Sequence, residues 1–80
     1  MPPIPEEIKD EDILQALDKL PTAFREAIVF TDVEKFSYKQ TAKLLQVPIG
    51  TVMSRLSRGR KLLRQELAEF ARSFGIATKG

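Results

Sequence analysis

The sequence predicts an all-α fold: a small four-helix domain ending in a helix-turn-helix whose last helix is unusually long. Three observations carry this. Apolar residues recur at helical spacing in four segments, and nowhere do they alternate as in a strand. Prolines and capping residues separate those segments. The chain has only 80 residues, enough for one small domain with a thin core.

The elements follow in order. Residues 1–10, with prolines at positions 2, 3 and 5, read as a linker or disordered N-terminus. A first helix is expected from about Glu11 to Lys19, with Ile13, Leu14, Leu17 and Leu20 as its buried stripe. Acidic residues in its first turn suit the helix dipole, and Leu20-Pro21 ends it. A second helix is expected from Pro21 or Thr22 to about Glu34. It has two apolar faces: Phe24, Ala27, Ile28 and Thr31 on one, and Val29, Phe30 and Val33 on the other. Two such faces place this helix centrally in the bundle or leave one side for a partner, and burial is the favoured reading.

Ser37-Tyr38-Lys39-Gln40 is a capping box and starts the third helix, which should reach Leu45 and bury Ala42 and Leu45. Gln46-Val47-Pro48 is a three-residue break. The fourth helix should run from Ile49 to about Arg72, with Gly75 as its stop and a disordered tail over 75–80. The domain proper is thus expected over 11–74. Ile49, Val52, Leu56, Gly59, Leu63, Leu67 and Phe70 fall on the core side of the fourth helix. The gap at Gly59 suits a close helix approach.

Composition narrows the function. Cysteine and histidine are both 0, which excludes disulfides, thiol or histidine catalysis and the usual zinc sites. No glycine-rich phosphate loop is present, so an enzyme is not expected, nor is any cofactor. The acidic cluster Asp10-Glu11-Asp12 has its ordinary explanation at a helix start. No apolar run approaches a bilayer span and the first residues are no signal peptide, so a cytoplasmic protein with no membrane partner is expected.

Charge divides along the chain. Residues 1–36 hold four basic against nine acidic residues, a net −5. Residues 37–80 hold nine basic against two acidic, a net +7. Five of the basic residues, Arg55, Arg58, Arg60, Lys61 and Arg64, fall between 55 and 64 with no acid among them. A merely solvated helix would mix in glutamates for local pairing. Opposite the core stripe lie Gly50, Thr51, Ser54, Ser57, Arg58 and Lys61. Small polar residues let a helix sink into a major groove about 12 Å wide, and basic residues at its rims neutralise phosphates. DNA binding is the favoured reading. A membrane-surface helix would expose bulky apolar residues there instead. A basic helix gripping an acidic protein, without duplex preference, is the remaining alternative.

Three stretches carry a family likeness: Leu20-Pro21-Thr22-Ala23-Phe24-Arg25; Phe36-Ser37-Tyr38-Lys39-Gln40-Thr41-Ala42; and the run from Val47-Pro48-Ile49-Gly50-Thr51-Val52-Met53 to Ser54-Arg55-Leu56-Ser57-Arg58-Gly59-Arg60. Together they resemble region 4 of a bacterial extracytoplasmic-function (ECF) RNA polymerase sigma factor, over about residues 11–70. The lead-in at Leu20-Pro21 separates the chain from response-regulator output domains. The resemblance implies sequence-specific recognition of the −35 promoter element in double-stranded DNA, docking on the β flap of RNA polymerase core to initiate transcription in the nucleoid, and often capture by an anti-sigma factor. It implies DNA contacts at Pro48, Ile49, Gly50, Thr51, Met53, Ser54, Arg55, Ser57 and Arg58. Arg60 and Lys61 are supplements, Thr51, Arg55 and Arg58 are phosphate contacts, and Ser54 and Ser57 are readers of base edges. Four residues make three departures from the family pattern. Thr41 replaces a usual isoleucine or valine, so packing there should be slightly polar. Lys35 replaces a usual glycine, so the end of the second helix should be strained. Met53 and Ser57 stand where other members carry larger or basic side chains. With no region 2, the chain is expected to be a fragment of a longer sigma factor.

Overall fold

The computed structural model describes residues 9–73, so the expected N-terminal linker up to position 8, the stop at Gly75 and the tail lie outside the described residues. Helix α1 spans Asp10–Asp18, α2 Thr22–Ile28, α3 Tyr38–Leu45 and α4 Ile49–Ser73; a π-helical segment, Val29–Val33, extends α2. The all-α, four-helix reading holds.

Helix α4 is the spine. At 25 residues it is about 37 Å long, and α1, α2 and α3 each pack on it. Val52, Leu56, Leu63 and Leu67 are buried on its inner face as expected. Gly59 is buried among them, where α2 crosses closely: a Cβ there would lie 3.0 Å from Ile28 Cδ1 and 3.2 Å from Phe24 Cβ. Leu17, Leu20, Ala27, Ile28 and Ala42 complete the core from the other helices.

The stripe departs from expectation at both ends of α4. Ile49, expected on the core side, is 49% exposed. Ala71, fully buried, takes the inner place expected of Phe70, which is only half-buried. The buried positions 59, 63, 67 and 71 advance by four, so the stripe winds slowly round the helix and follows an oblique partner. In α1 the inward row is Ile13, Ala16, Leu17 and Leu20, while Leu14 is 52% exposed. The small Ala16 lies on the row that meets α4, and Leu14 falls one row outside it. Leu45 is half-buried rather than buried.

Helix α2 keeps its first face, with Ala27, Ile28 and Thr31 buried. The second face is not buried as favoured: Val29 and Phe30 are half-buried and Val33 is 48% exposed. The α ladder also ends at Ile28, six residues earlier than expected, and continues as the π turn. There Thr31 Oγ1 donates to the Ala27 carbonyl at 2.5 Å, competing with the backbone ladder. The Glu34 amide then reaches back five residues to Val29 at 2.8 Å, and the Phe36 amide six residues to Phe30 at 2.9 Å. The Phe30 and Phe36 rings stack with centroids 5.9 Å apart.

Lys35 adopts φ 64°, the left-handed conformation that glycine would take more cheaply by about 1–2 kcal/mol. The expected strain is present. The capping box is present too: the Gln40 amide donates to Ser37 Oγ at 3.0 Å and the Ser37 amide to Gln40 Oε1 at 2.9 Å. Gln46 closes α3 in the left-handed region, with the Val47 amide returning to the Ala42 carbonyl at 3.0 Å. The three-residue break is Gln46, Val47 and Pro48, as read.

Thr41 is fully buried and its Oγ1 finds no hydrogen-bond partner among the described residues. Valine has nearly the same shape without the stranded hydroxyl. Thr41→Val should therefore raise stability by about 1 kcal/mol. Thermal unfolding followed by circular dichroism should show the midpoint rise by about 4–8 °C for a domain of this size. A lowered midpoint contradicts the assignment of a stranded hydroxyl.

Candidate nucleic-acid interface

The site is the outward face of the first half of α4. Pro48 precedes the helix, and its carbonyl accepts from the Thr51 amide at 3.0 Å and the Val52 amide at 3.3 Å. The amides of Ile49 and Gly50 therefore stand at the open, partially positive end of α4. With Val52 and Leu56 fixed inward, helical geometry turns Gly50, Ser54, Ser57, Arg58 and Lys61 outward, and all five are exposed. Thr51 and Arg55 are half-buried beside them. Pro48, Ile49 and Met53 are exposed on the same leading end.

Gly50 and Gly59 illustrate two different uses of glycine in one helix. A Cβ at Gly50 meets nothing within 4 Å, whereas one at Gly59 meets α2. The fold therefore does not require Gly50, although a glycine inside a helix costs about 1 kcal/mol against alanine. What Gly50 provides is a smooth outward surface. A shallow groove runs along this surface between α4 and the start of α2, lined by Ala23, Phe24, Gly50, Thr51, Ser54, Arg55 and Arg58. The contribution of Ala23 and Phe24 was not read from the sequence; the Leu20-Pro21 break that swings α2 towards α4 was its only signal.

Arg60 differs from the other basic residues. Its Nε and Nη2 donate to Asp32 at 3.0 and 2.7 Å, a two-pronged pair that ties α4 to the π segment. The Asp32 carboxylate raises the already high guanidinium pKa, outweighing partial burial, with Tyr38 adding to the rise. Arg60 is thus engaged within the domain and turned away from Ser54 and Arg58. Asp32 lies 28 residues away, beyond any local pattern. Arg55, Arg58 and Lys61 keep the surface basic, and the sequence has no acidic residue from 35 to 65.

No helix among the described residues is long and apolar enough to cross a membrane. A second, apolar groove lies along α3, lined by Phe36, Gln40, Lys43 and Leu44.

The family model described as "Sigma-70, region 4" matches residues 10–63. The chain is 44% identical over 72 residues to the ECF RNA polymerase sigma factor SigE of Mycolicibacterium smegmatis, covering 84% of this chain and 28% of the relative. It is 42% identical over 59 residues to the RNA polymerase sigma factor HrpL of Pseudomonas syringae pv. syringae, covering 74% and 32%. Against the ECF sigma factor SigW of Bacillus subtilis it is 37% identical over 57 residues, covering 71% and 30%. The chain spans less than a third of the length of each of these relatives. The matched segment runs from α1 through α3 and the turn into the first half of α4, and the chain belongs to the sigma-70 region 4 family.

Proposed function

We propose that this domain recognises the −35 element of a promoter by inserting the first half of α4 into the major groove. The observation that carries this reading is the outward face of α4: small and polar at Gly50, Ser54 and Ser57, basic at Arg55, Arg58 and Lys61, and open at its N-terminus. Thr51, Arg55 and Arg58 hold phosphates, assisted by Lys61 and by the helix N-terminus. Ser54 and Ser57 read base edges, with Pro48, Ile49, Gly50 and Met53 closing the contact. Arg60 supports the interface by fixing α4 rather than by touching DNA. Binding is stoichiometric, with no bond made or broken.

The apolar groove of α3 supports a second contact of the same domain. Leu44, 55% exposed, and the outer side of Phe36, 37% exposed and stacked on Phe30, give it an apolar surface beside Lys43. We assign it to RNA polymerase core, at the β flap, or to an anti-sigma factor that competes for it. Both partners and the nucleoid as the place of action rest on the likeness to sigma factors.

A panel of duplexes, each altered at one base pair of a family-like GGAAC element, tests the base reading. Fluorescence anisotropy should rank the panel differently for the natural chain, Ser54→Ala and Ser57→Ala, at a cost of about 1–3 kcal/mol per lost base contact. A ranking unchanged by both substitutions removes the two serines from the base-reading set.

A further inference from the structure

We infer that Met53 and Ile49 form an apolar edge that selects thymine by its 5-methyl group. The inference rests on the proposed entry of α4 into the major groove. Met53 is 53% exposed and Ile49 49% exposed. They stand one turn apart on the leading end of α4, so their side chains are neighbours. Isolated exposed apolar residues are ordinary, but these two are the only large ones exposed on α4 among the described residues. They adjoin the smallest part of the outward face, Gly50 and Ser54, where a Cβ at position 50 would meet nothing. Neither belongs to the buried core.

The major-groove edge of a base pair carries one apolar group, the thymine methyl; every other feature is a donor or acceptor. An apolar pair at the rim of a polar, basic helix therefore matches thymine and nothing else in the groove. Methionine suits this role because its unbranched thioether adapts to the position of the methyl. Arginine at position 53 would instead contact phosphate or guanine.

The test removes the methyl alone. In a duplex carrying GGAAC, each thymine is replaced in turn by deoxyuridine, and affinity is measured for the natural chain, Met53→Ala, Met53→Leu and Ile49→Ala. Both positions are exposed, so the variants should fold, which circular dichroism checks. For the natural chain, one or two replacements should weaken binding about threefold to fivefold, the factor for one buried methyl. Met53→Ala or Ile49→Ala should abolish the penalty at its own position, and Met53→Leu should keep it. Penalties that survive both alanine variants overturn the inference, as does an absence of penalties in a chain that still prefers GGAAC over a scrambled duplex. Equal binding to all duplexes overturns the base-reading of α4 and the inference with it.

Discussion

Gly59→Ala should lower the stability of the domain by about 1 kcal/mol, while Gly50→Ala, nine residues earlier in the same helix, should raise it by about 0.5–1 kcal/mol. Propensity alone predicts a gain at both sites, because alanine is the better helix former. At Gly59 the new methyl would press on Phe24 Cβ at 3.2 Å and Ile28 Cδ1 at 3.0 Å. The first is anchored to the α2 backbone, and Ile28 is itself 2% exposed, so neither withdraws freely. Overpacking of this kind costs about 1–3 kcal/mol, which exceeds the propensity gain. Gly59→Leu crowds the same gap with three further carbons and should leave the domain unfolded. At Gly50 nothing stands in the way. Urea unfolding read by helical circular dichroism measures both, and stabilisation at both positions would remove the close approach of α2 to α4. Gly50→Ala carries a second expectation: it should weaken duplex binding even as it stabilises the fold, because the methyl occupies space the DNA needs.

Arg58→Glu should weaken binding to every duplex alike by about ten- to a hundredfold at low salt, and reduce the salt slope by about one to two units. Arg58 is exposed and lines the groove beside Ser54. Its reversal removes one neutralised phosphate and adds a repulsion there. Arg60→Gln is the informative contrast. Its guanidinium is held by Asp32 at 2.7 and 3.0 Å, so its loss should lower stability while leaving the salt slope nearly unchanged. Anisotropy titrations over a range of salt concentrations separate the two. An Arg58→Glu effect confined to one sequence makes Arg58 a base reader, and an Arg60→Gln slope as altered as that of Arg58→Glu puts Arg60 on the DNA.

Where the fold was legible, the signal was local. The capping box at Ser37 and Gln40, the break at Gln46-Val47-Pro48 and the inner row from Val52 to Leu67 are each set within a few residues. The structure reproduces all three. The strain at Lys35 and the slightly polar packing at Thr41 were legible as departures from a family pattern; that the Thr41 hydroxyl has no partner among the described residues only the structure shows. What escaped depends on distant partners. Leu14 and Ala16 both fit a helical stripe, and only the angle at which α1 meets α4 decides between them. Ile49 continues the inner row in sequence, yet the tertiary fold leaves it 49% exposed. The π turn depends on where Thr31 finds an acceptor, and it shortens a helix that the apolar pattern carried on to Glu34. The role of Arg60 depends on Asp32, two helices away. The outward face of α4 was legible because it is the complement of the core stripe, whereas its wall of Ala23 and Phe24 needed the tertiary fold.

The central claim is that α4 recognises a promoter duplex. The direct measurement is a titration of the labelled domain with a GGAAC duplex and with a scrambled one, at about 50 and 200 mM salt, up to about 100 μM. The account predicts tighter binding to GGAAC. It also predicts that log affinity falls with log salt at a slope of about −4 to −5, as for some five neutralised phosphates. Equal affinity for both duplexes, or a complex insensitive to salt, contradicts it and leaves the apolar groove of α3 as the working surface of the domain.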